Sequence, residues 1–313
     1  MTTNGDTSTA NLLTDLRIGI VGLGLMGGSL ALALRGRVAG LVAIERQADI
    51  RQLALRQGVV DEAVDAISDG APAVDLLVLA TPIRTIVDTI GRLPSLYPNG
   101  CAVIDLGSTK RDVVAAMNAL PDHYAAIGGH PMCGRETAGL ASATADLYRG
   151  QNFFLCPTRR ATPALEATVL ALIEAIGARP IIMDAAAHDS AVAVVSHLPA
   201  LLAASLMRSA ADERLWTAAA SGFRDTSRLA GSDTRMMLDI LMTNRDAVLD
   251  ALESCRAELA AVHDALAAGD EAALVEWLAA AQVSYAAYRR FTSAAHLLPA
   301  GGRSGLEDPS KIA

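Results

Sequence analysis

The fold is decided by residues 17–29, which read RIGIVGLGLMGGS. An apolar run typical of a buried strand, 17–22, leads directly into a turn with the spacing G-x-G-x-x-G, formed by Gly22, Gly24 and Gly27. In such a turn the first glycine permits a tight bend and the second lets the backbone approach a phosphate. The third lets the following helix pack closely on the strand. The segment therefore predicts the first strand, phosphate-binding turn and helix of a dinucleotide-binding sheet.

Apolar runs of strand length continue to alternate with segments of helix length as far as residue 184. The strand-like runs lie at 17–22, 41–45, 75–80 and 101–106, with further strands expected near 125–129, 152–156 and 179–183, and the helix-like segments lie at 27–36, 48–57, 83–92 and 109–119. This alternation is typical of an α/β fold with a parallel sheet covered by helices on both faces. A Rossmann-like domain is therefore predicted for residues 16–185.

The pattern changes after Asp184. Residues 186–298 are rich in alanine and leucine, have helical periodicity and contain no strand-like run, so they predict an all-helical second domain. Such a composition suits a homodimer interface. The polar residues 1–15 and the Gly-, Pro- and Ser-containing residues 299–313 are expected to be flexible tails.

Composition limits the classes of function. A net charge of -8 argues against a nucleic-acid partner, and the four cysteines form no CxxC pair, so neither a metal site nor a disulfide framework is expected. The N-terminus has no signal-peptide pattern. The most apolar stretch, 191–207, is interrupted by His197 and Pro199 and makes a poor membrane span. A cytoplasmic protein without a membrane partner is expected.

A carboxylate ends the second predicted strand at the position that a dinucleotide site requires. Glu45 lies eighteen residues after Gly27, where it would accept hydrogen bonds from the adenosine ribose and repel a 2′-phosphate. NAD is therefore favoured over NADP, although the neighbouring Arg46 could tolerate a phosphate. The alternative is a glycine-rich turn beside an incidental glutamate. The expected cofactor contacts are Gly22, Leu23, Gly24, Leu25, Met26, Gly27, Glu45, Arg46, Thr81 and Pro82.

Two hydroxyl residues follow later strands. Thr81 and Ser108 lie at the carboxyl ends of predicted strands, where open α/β sheets bind ligands, and could hydrogen-bond the nicotinamide ribose or the substrate. Ser108 could equally be the N-cap of the helix that follows.

Beyond the glycine turn, the sequence resembles the prephenate/arogenate dehydrogenase family. The resemblance covers roughly residues 17–245 and rests on VIDLGSTK at 103–110, GGHPMCGRE at 128–136, HD at 188–189, VSHLP at 195–199 and GFRDTSRLAGSD at 222–233. It implies a two-domain subunit that dimerises through its helical domain. The implied reaction is an NAD(P)-dependent oxidative decarboxylation of prephenate to 4-hydroxyphenylpyruvate, or of arogenate to tyrosine.

The resemblance also implies roles for particular side chains. His130 would be the base that takes the proton of the substrate C4 hydroxyl, and an ordinary imidazole pKa of roughly 6.5 suits that role. Ser108 would orient the imidazole or the hydroxyl. Arg228 would bind a substrate carboxylate through its bidentate guanidinium, with Arg224 adding positive potential or pairing with an acid. His197 could line the substrate pocket or be a core histidine.

Two departures from the family pattern leave the substrate open. Ala200 stands where relatives commonly have a second histidine, and Met236-Met237 stand where they often carry tryptophan. Prephenate is favoured, with arogenate as the alternative. His188 and Asp189 are expected to cap the helix that enters the second domain.

Two other functions compete with this interpretation. The β-hydroxyacid dehydrogenases need a catalytic lysine in the second domain, whereas this chain has only Lys110 and Lys311. A non-catalytic NAD sensor would not need His130 and Arg228 together.

Overall fold

The computed structural model of the protein describes residues 12–67, 73–135 and 137–295. Its first part is built on one eight-stranded sheet. The strands are β1 (Arg17–Val21), β2 (Gly40–Ile44), β3 (Glu62–Val64), β4 (Leu76–Leu79), β5 (Ala102–Asp105), β6 (Ala125–Pro131), β7 (Asn152–Cys156) and β8 (Arg179–Ile182).

The sheet has the order β3-β2-β1-β4-β5-β6-β7-β8. Strands β1 to β6 pair in parallel, β6 pairs antiparallel with β7, and β7 pairs in parallel with β8. The carboxyl ends of β1 to β6 therefore meet at one edge. That edge is where parallel α/β sheets bind ligands.

Helices cover both faces of this sheet. They are α1 (Leu25–Leu34), α2 (Ala48–Arg56), α3 (Ile83–Leu96), α4 (Arg111–Asn118) and α5 (Pro163–Ala175). Alternate residues of β4 enter two different hydrophobic cores: Leu76 and Val78 pack on one face, and Leu77 and Leu79 on the other. All four are buried, as expected for a strand covered on both sides.

Beyond β8 the described chain is helical. The helices are α6 (Ala185–Val192), α7 (Leu198–Ser209), α8 (Ser221–Ser227), α9 (Thr234–Thr243), α10 (Arg245–Ala268) and α11 (Glu271–Ala295). A π-helical turn, Ala193–His197, joins α6 to α7, and short 3-10 helices lie at Glu213–Ala218 and Arg228–Gly231. By contacts the chain divides into two compact units, Met1–Ala251 and Leu252–Ala313. In the second, the Trp277 indole donates to Glu258 at 2.7 Å, which joins α11 to α10.

The architecture confirms the predicted α/β sheet followed by helices. Two features were not predicted: the short strand β3 and the antiparallel direction of β7. The predicted tail 299–313 and residues 1–11 lie outside the described residues. Within the described part of the other tail, Leu13 is buried in the core, so packing begins before residue 16.

One continuous helical run, Ala185–Ser209, is long and apolar enough to cross a membrane by length and composition, with a mean hydropathy of 1.8. This is weak evidence for a span, because the run carries His188, Asp189 and His197, all buried inside the protein. The expectation of a cytoplasmic protein stays a prediction.

Candidate active site

The glycine turn has the geometry expected of a phosphate-binding loop. Gly22 has a φ of 92°, in the left-handed region that favours glycine. A Cβ added at Gly27 would lie 2.0 Å from the Gly22 carbonyl oxygen, so the third glycine allows α1 to pack against the turn. A Cβ at Gly24 would meet no atom within 4 Å. The second glycine therefore faces open space, which suits the close approach of a pyrophosphate.

Glu45 is anchored beside this turn. Its Oε2 accepts a hydrogen bond from the Leu23 amide at 3.0 Å, and its Oε1 accepts one from the Gln47 amide at 2.9 Å. Each carboxylate oxygen can accept a second hydrogen bond. The carboxylate thus lies next to the phosphate-binding turn with capacity left for sugar hydroxyls.

The end of β4 adds a polar atom to the same region. Thr81 Oγ1 is buried and has no hydrogen-bond partner among the described residues, and Thr81 Cγ2 lies 2.9 Å from where a Gly22 Cβ would be. Pro82 is the N-cap of α3, and Arg46 is exposed. An open cradle, an anchored acid and an unsatisfied hydroxyl together fit a bound dinucleotide.

A buried ion pair fixes the next two strands against each other. The Lys110 ammonium donates to Asp105 and, at 2.6 Å, to the carbonyl oxygen of Gly129. Asp105 also accepts from the amides of Gly107 at 2.7 Å and Gly129 at 2.9 Å. The ends of β5 and β6 are therefore held together immediately before His130.

His130 lies near the end of β6, and its imidazole contacts a second histidine. Its Nδ1 is 2.8 Å from Nε2 of His188, and Nδ1 of His188 is 2.8 Å from Oδ1 of Asp189. His188 and Asp189 are fully buried, whereas His130 keeps part of its surface accessible. In the described part of the chain, His130 Nε2 has no hydrogen-bond partner. Ser108 is the orienting partner that the sequence predicts, whereas the structure has His188 at Nδ1 of His130.

The surroundings of His130 change its proton affinity. Burial lowers its pKa well below the ordinary value of 6.5, and the neighbouring His188, Lys110 and His197 lower the pKa further. The unperturbed pKa assumed from sequence is therefore wrong. The imidazole is neutral at pH 7, so it is available as a base without a prior loss of a proton, although its basicity is reduced.

His197 is a buried core histidine. It is 2% exposed, and its Nδ1 lies 3.3 Å from Nδ2 of Asn244. Burial lowers its pKa to about 4, an effect that Asp189 opposes and His188 reinforces. A direct contact of His197 with substrate stays a prediction.

The caps of two helices differ from the sequence expectations. Ser108 does not cap α4, because that helix begins at Arg111 with Lys110 as the N-cap. The Lys110 and Arg111 amides instead donate to the Asp189 carboxylate at 2.7 and 2.8 Å. The helix entering the second part of the chain, α6, is capped by Asp184 and not by His188 or Asp189.

The two candidate arginines lie in the helical part of the chain. Arg224 forms an exposed ion pair with Asp225 at 3.0 Å, one of the alternatives considered from sequence. Arg228 is exposed and opens the 3-10 helix Arg228–Gly231, which packs against α7. That Arg228 meets His130 around a substrate stays a prediction.

Known proteins are similar to this chain over most of its length. Residues 30–182 match the family model described as "Prephenate dehydrogenase, nucleotide-binding domain", and residues 184–280 match "Prephenate dehydrogenase, dimerization domain". Arogenate dehydrogenase from Synechocystis is 31% identical, with a TM-score of 0.75, over 87% of this chain and 100% of that one. The chain belongs to the prephenate dehydrogenase family.

Other members of the prephenate dehydrogenase family are similarly close. Prephenate dehydrogenase from A. aeolicus, solved in complex with hydroxyphenyl propionate and NAD+, has a TM-score of 0.80 and 29% identity over 88% of this chain and 99% of that one. Prephenate dehydrogenase from Bacillus subtilis is 33% identical over 246 residues, 75% of this chain and 66% of the relative. The chain therefore spans about two thirds of the Bacillus relative.

Three buried groups of this family member were not recognised from sequence. They are the Lys110–Asp105 pair, the His188–Asp189 contact to His130, and Asn244, whose Nδ2 donates to the Asp189 carbonyl oxygen at 2.7 Å. The adjacent letters HD at 188–189 were a visible signal. Their partners lie 55 to 79 positions away, so no local pattern could reveal the contacts.

Proposed function

We propose that the protein is an NAD-dependent prephenate dehydrogenase in which His130 is the catalytic base. The observation that carries this proposal is the placement of His130 at the carboxyl edge of the sheet that also bears the glycine turn, with one ring nitrogen engaged and the other without a partner in the described structure. A reacting group at that edge is within the region where a dinucleotide would bind.

The reaction requires coordinated movement of a proton and a hydride. When bound, oxidised NAD accepts the hydride from C4 of the ring. His130 takes the proton of the C4 hydroxyl, the bond to the ring carboxylate breaks to release carbon dioxide, and its electrons make the ring aromatic. The imidazolium then returns the proton to the phenolic oxygen. A dianionic substrate beside the imidazole would raise its lowered pKa, which favours this proton transfer.

The choice of NAD rests on Glu45. Its carboxylate, held by the Leu23 amide, would accept from ribose hydroxyls and repel a 2′-phosphate. The complex of the A. aeolicus relative with NAD+ supports the same choice.

Arg228 completes the proposed site. Its guanidinium would bind a substrate carboxylate with two parallel hydrogen bonds, a geometry that lysine does not offer. Ser108 would donate to the C4 oxygen or to the nicotinamide ribose.

The amino-substituted substrate arogenate is the second candidate, because the Synechocystis relative is an arogenate dehydrogenase. The test measures formation of reduced NAD with prephenate and with arogenate at equal concentrations. We expect a higher kcat/KM with prephenate. A preference for arogenate would correct the substrate, and no oxidation of either compound would overturn the function.

A histidine variant tests the base. His130→Asn is expected to lower kcat by about 10²–10⁴-fold while leaving NAD affinity unchanged, because general base catalysis contributes about that much. The matched control is His263→Asn, at an exposed position on α10. A His130→Asn enzyme with wild-type kcat would remove His130 from the mechanism.

We also propose a homodimer formed through the second compact unit. The family model that covers residues 184–280 is described as a dimerization domain, and large apolar side chains on α11 are exposed, among them Leu278, Val283 and Phe291. Burying them in a subunit interface would remove this surface from water. Light scattering of the purified protein is expected to give twice the chain mass, and a monomer would contradict the proposal.

A further inference from the structure

A buried chain of hydrogen bonds leads away from His130 into α6. We propose that His188 and Asp189 form a positioning relay that fixes the tautomer of His130 and keeps its Nε2 unprotonated. The inference deepens the function proposed above and rests on it for the role of His130 as base. Its structural part, the tautomer, holds independently of the substrate.

Asp189 determines which groups donate and which accept along this series of hydrogen bonds. Its two carboxylate oxygens accept from the backbone amides of Lys110 and Arg111, which can only donate. These amides form the N-terminus of α4, where the helix dipole favours a negative charge. An ionised carboxylate has no proton to give, so Nδ1 of His188 must donate to Oδ1 of Asp189.

The tautomers of both histidines follow from this direction. A neutral imidazole carries one proton, so in the neutral form of His188 the donation to Asp189 puts that proton on Nδ1. Its Nε2 is therefore an acceptor, and the atom 2.8 Å away, Nδ1 of His130, must be the donor. The single proton of a neutral His130 then lies on Nδ1. Its Nε2 holds the lone pair that a base requires.

Packing holds the relay in place. The ring of Phe154 lies edge-on to His188 with centroids 5.2 Å apart, and the same Phe154 is the strand partner of His130 across the antiparallel β6–β7 pair. Asn244 donates to the Asp189 carbonyl oxygen at 2.7 Å. The antiparallel strand therefore contacts His188 directly, and Asn244 holds the backbone of the neighbouring Asp189.

The surroundings of His130 lower its pKa, but the relay offers the protonated state that forms during the reaction one favourable contact. When His130 Nε2 takes a proton, its Nδ1–H bond to His188 becomes a charge-assisted hydrogen bond, which is stronger. The negative charge of Asp189 lies one imidazole away and is buried, where screening by water is weak. Both residues are fully buried, so they act through His130.

Two substitutions at His188 distinguish a role in positioning His130 from a role in packing alone. His188→Phe keeps an aromatic ring but removes the acceptor, so Nδ1 of His130 loses its partner and the Nε2–H tautomer becomes accessible. His188→Gln can present its side-chain oxygen to Nδ1–H and keep the tautomer. His123→Phe, at an exposed histidine, is the control for the substitution itself.

We expect kcat with prephenate to fall about 100-fold in His188→Phe and less than about 10-fold in His188→Gln, because general base catalysis is only partly lost. The KM for NAD should not change in either. The second readout is the imidazole nitrogen resonances of the histidine-labelled enzyme, with His130 assigned by the signal lost in His130→Asn. Wild type and His188→Gln should show an unprotonated Nε2, whereas His188→Phe should show a protonated fraction.

The outcomes distinguish the relay from the proposed function. If the wild-type enzyme oxidises neither prephenate nor arogenate, the function fails, while the nitrogen resonances still decide the tautomer. A protonated Nε2 in neutral wild-type His130 overturns the relay, as does wild-type kcat in His188→Phe. If His188→Phe does not fold, the resonances of wild type and the kcat of His188→Gln decide, and a 100-fold loss in the Gln variant contradicts the proposal.

Discussion

The buried His197 is expected to make the folded protein sensitive to acid. Its side chain is 2% exposed, with Asn244 as its hydrogen-bond neighbour, and burial lowers its pKa from 6.5 to about 4. The unfolded chain therefore binds a proton at a higher pH than the native protein does. The contribution of His197 to the free energy of unfolding is therefore fully present above pH 6.5. It is lost as the pH falls from 6.5 toward 4.

The magnitude follows from these two pKa values. At pH 5, an unfolded histidine with its pKa at 6.5 is almost fully protonated, whereas His197 in the native state is mostly neutral. The resulting loss of stability between pH 7.5 and pH 5 is about 2 kcal/mol. At still lower pH the loss approaches about 3.4 kcal/mol, at 1.36 kcal/mol for each pKa unit. Because His197 is buried, solvent screening does not reduce this figure.

The assay is urea unfolding at pH 7.5 and pH 5, at one fixed protein concentration, for wild type and His197→Gln. His130 contributes its own pH dependence to both proteins, so the difference between their pH dependences isolates His197. The Gln variant should lose about 2 kcal/mol less on acidification. The control His263→Gln, at an exposed histidine, should behave as wild type. Equal losses in wild type and His197→Gln would refute the reasoning.

Three further predictions concern the ligand sites. Arg228→Ala should raise the KM for prephenate about 10- to 100-fold, because hydrogen bonds to charged groups contribute about 1.5–3 kcal/mol; steady-state kinetics with an unchanged KM would remove that role. Glu45→Ala should weaken NAD more than NADP in binding titrations, and equal losses would contradict the ribose contact. Gly24→Ala should weaken NAD binding without lowering the stability of the fold, since its Cβ meets open space. Gly27→Ala should instead lower the free energy of unfolding by about 1–3 kcal/mol, because its Cβ would clash with the Gly22 carbonyl oxygen. If urea unfolding and NAD titration give the reverse pattern, the roles assigned to Gly24 and Gly27 are wrong.

The glycine turn and the alternating elements could be predicted because their signals are local. Gly22, Gly24 and Gly27 follow directly on a strand, and each has the spatial setting that the motif demands. The strand β3 was missed because its three residues, Glu62–Val64, are too short for a hydrophobic pattern. The direction of β7 was missed because a strand-like run does not record which way it pairs.

The polar contacts of the site could not be predicted from short sequence patterns. Ser108 stands where an N-cap is usually found, yet α4 begins later, with Lys110 as its N-cap, and the Lys110 amide donates to Asp189, 79 positions away in sequence. A carboxylate on a distant helix accepts from the amides of Lys110 and Arg111 at once, and no short sequence pattern identifies it. The lowered pKa of His130 likewise depends on burial and on the neighbouring His188 and Lys110, which only the fold brings together.

The π-helical turn between α6 and α7 constrains the number of residues in this segment. Asp189, Ala193 and His197 are all buried and follow one another at steps of four residues. In a regular helix each such step overshoots a full turn by roughly 40°, and the wider turn at Ala193–His197 compensates for that drift. Deleting one residue here would leave the hydrophobicity of the segment almost unchanged but would rotate every later side chain of α7 around the helix axis. Insertions and deletions in this segment should therefore be far less tolerated than substitutions at its exposed valines.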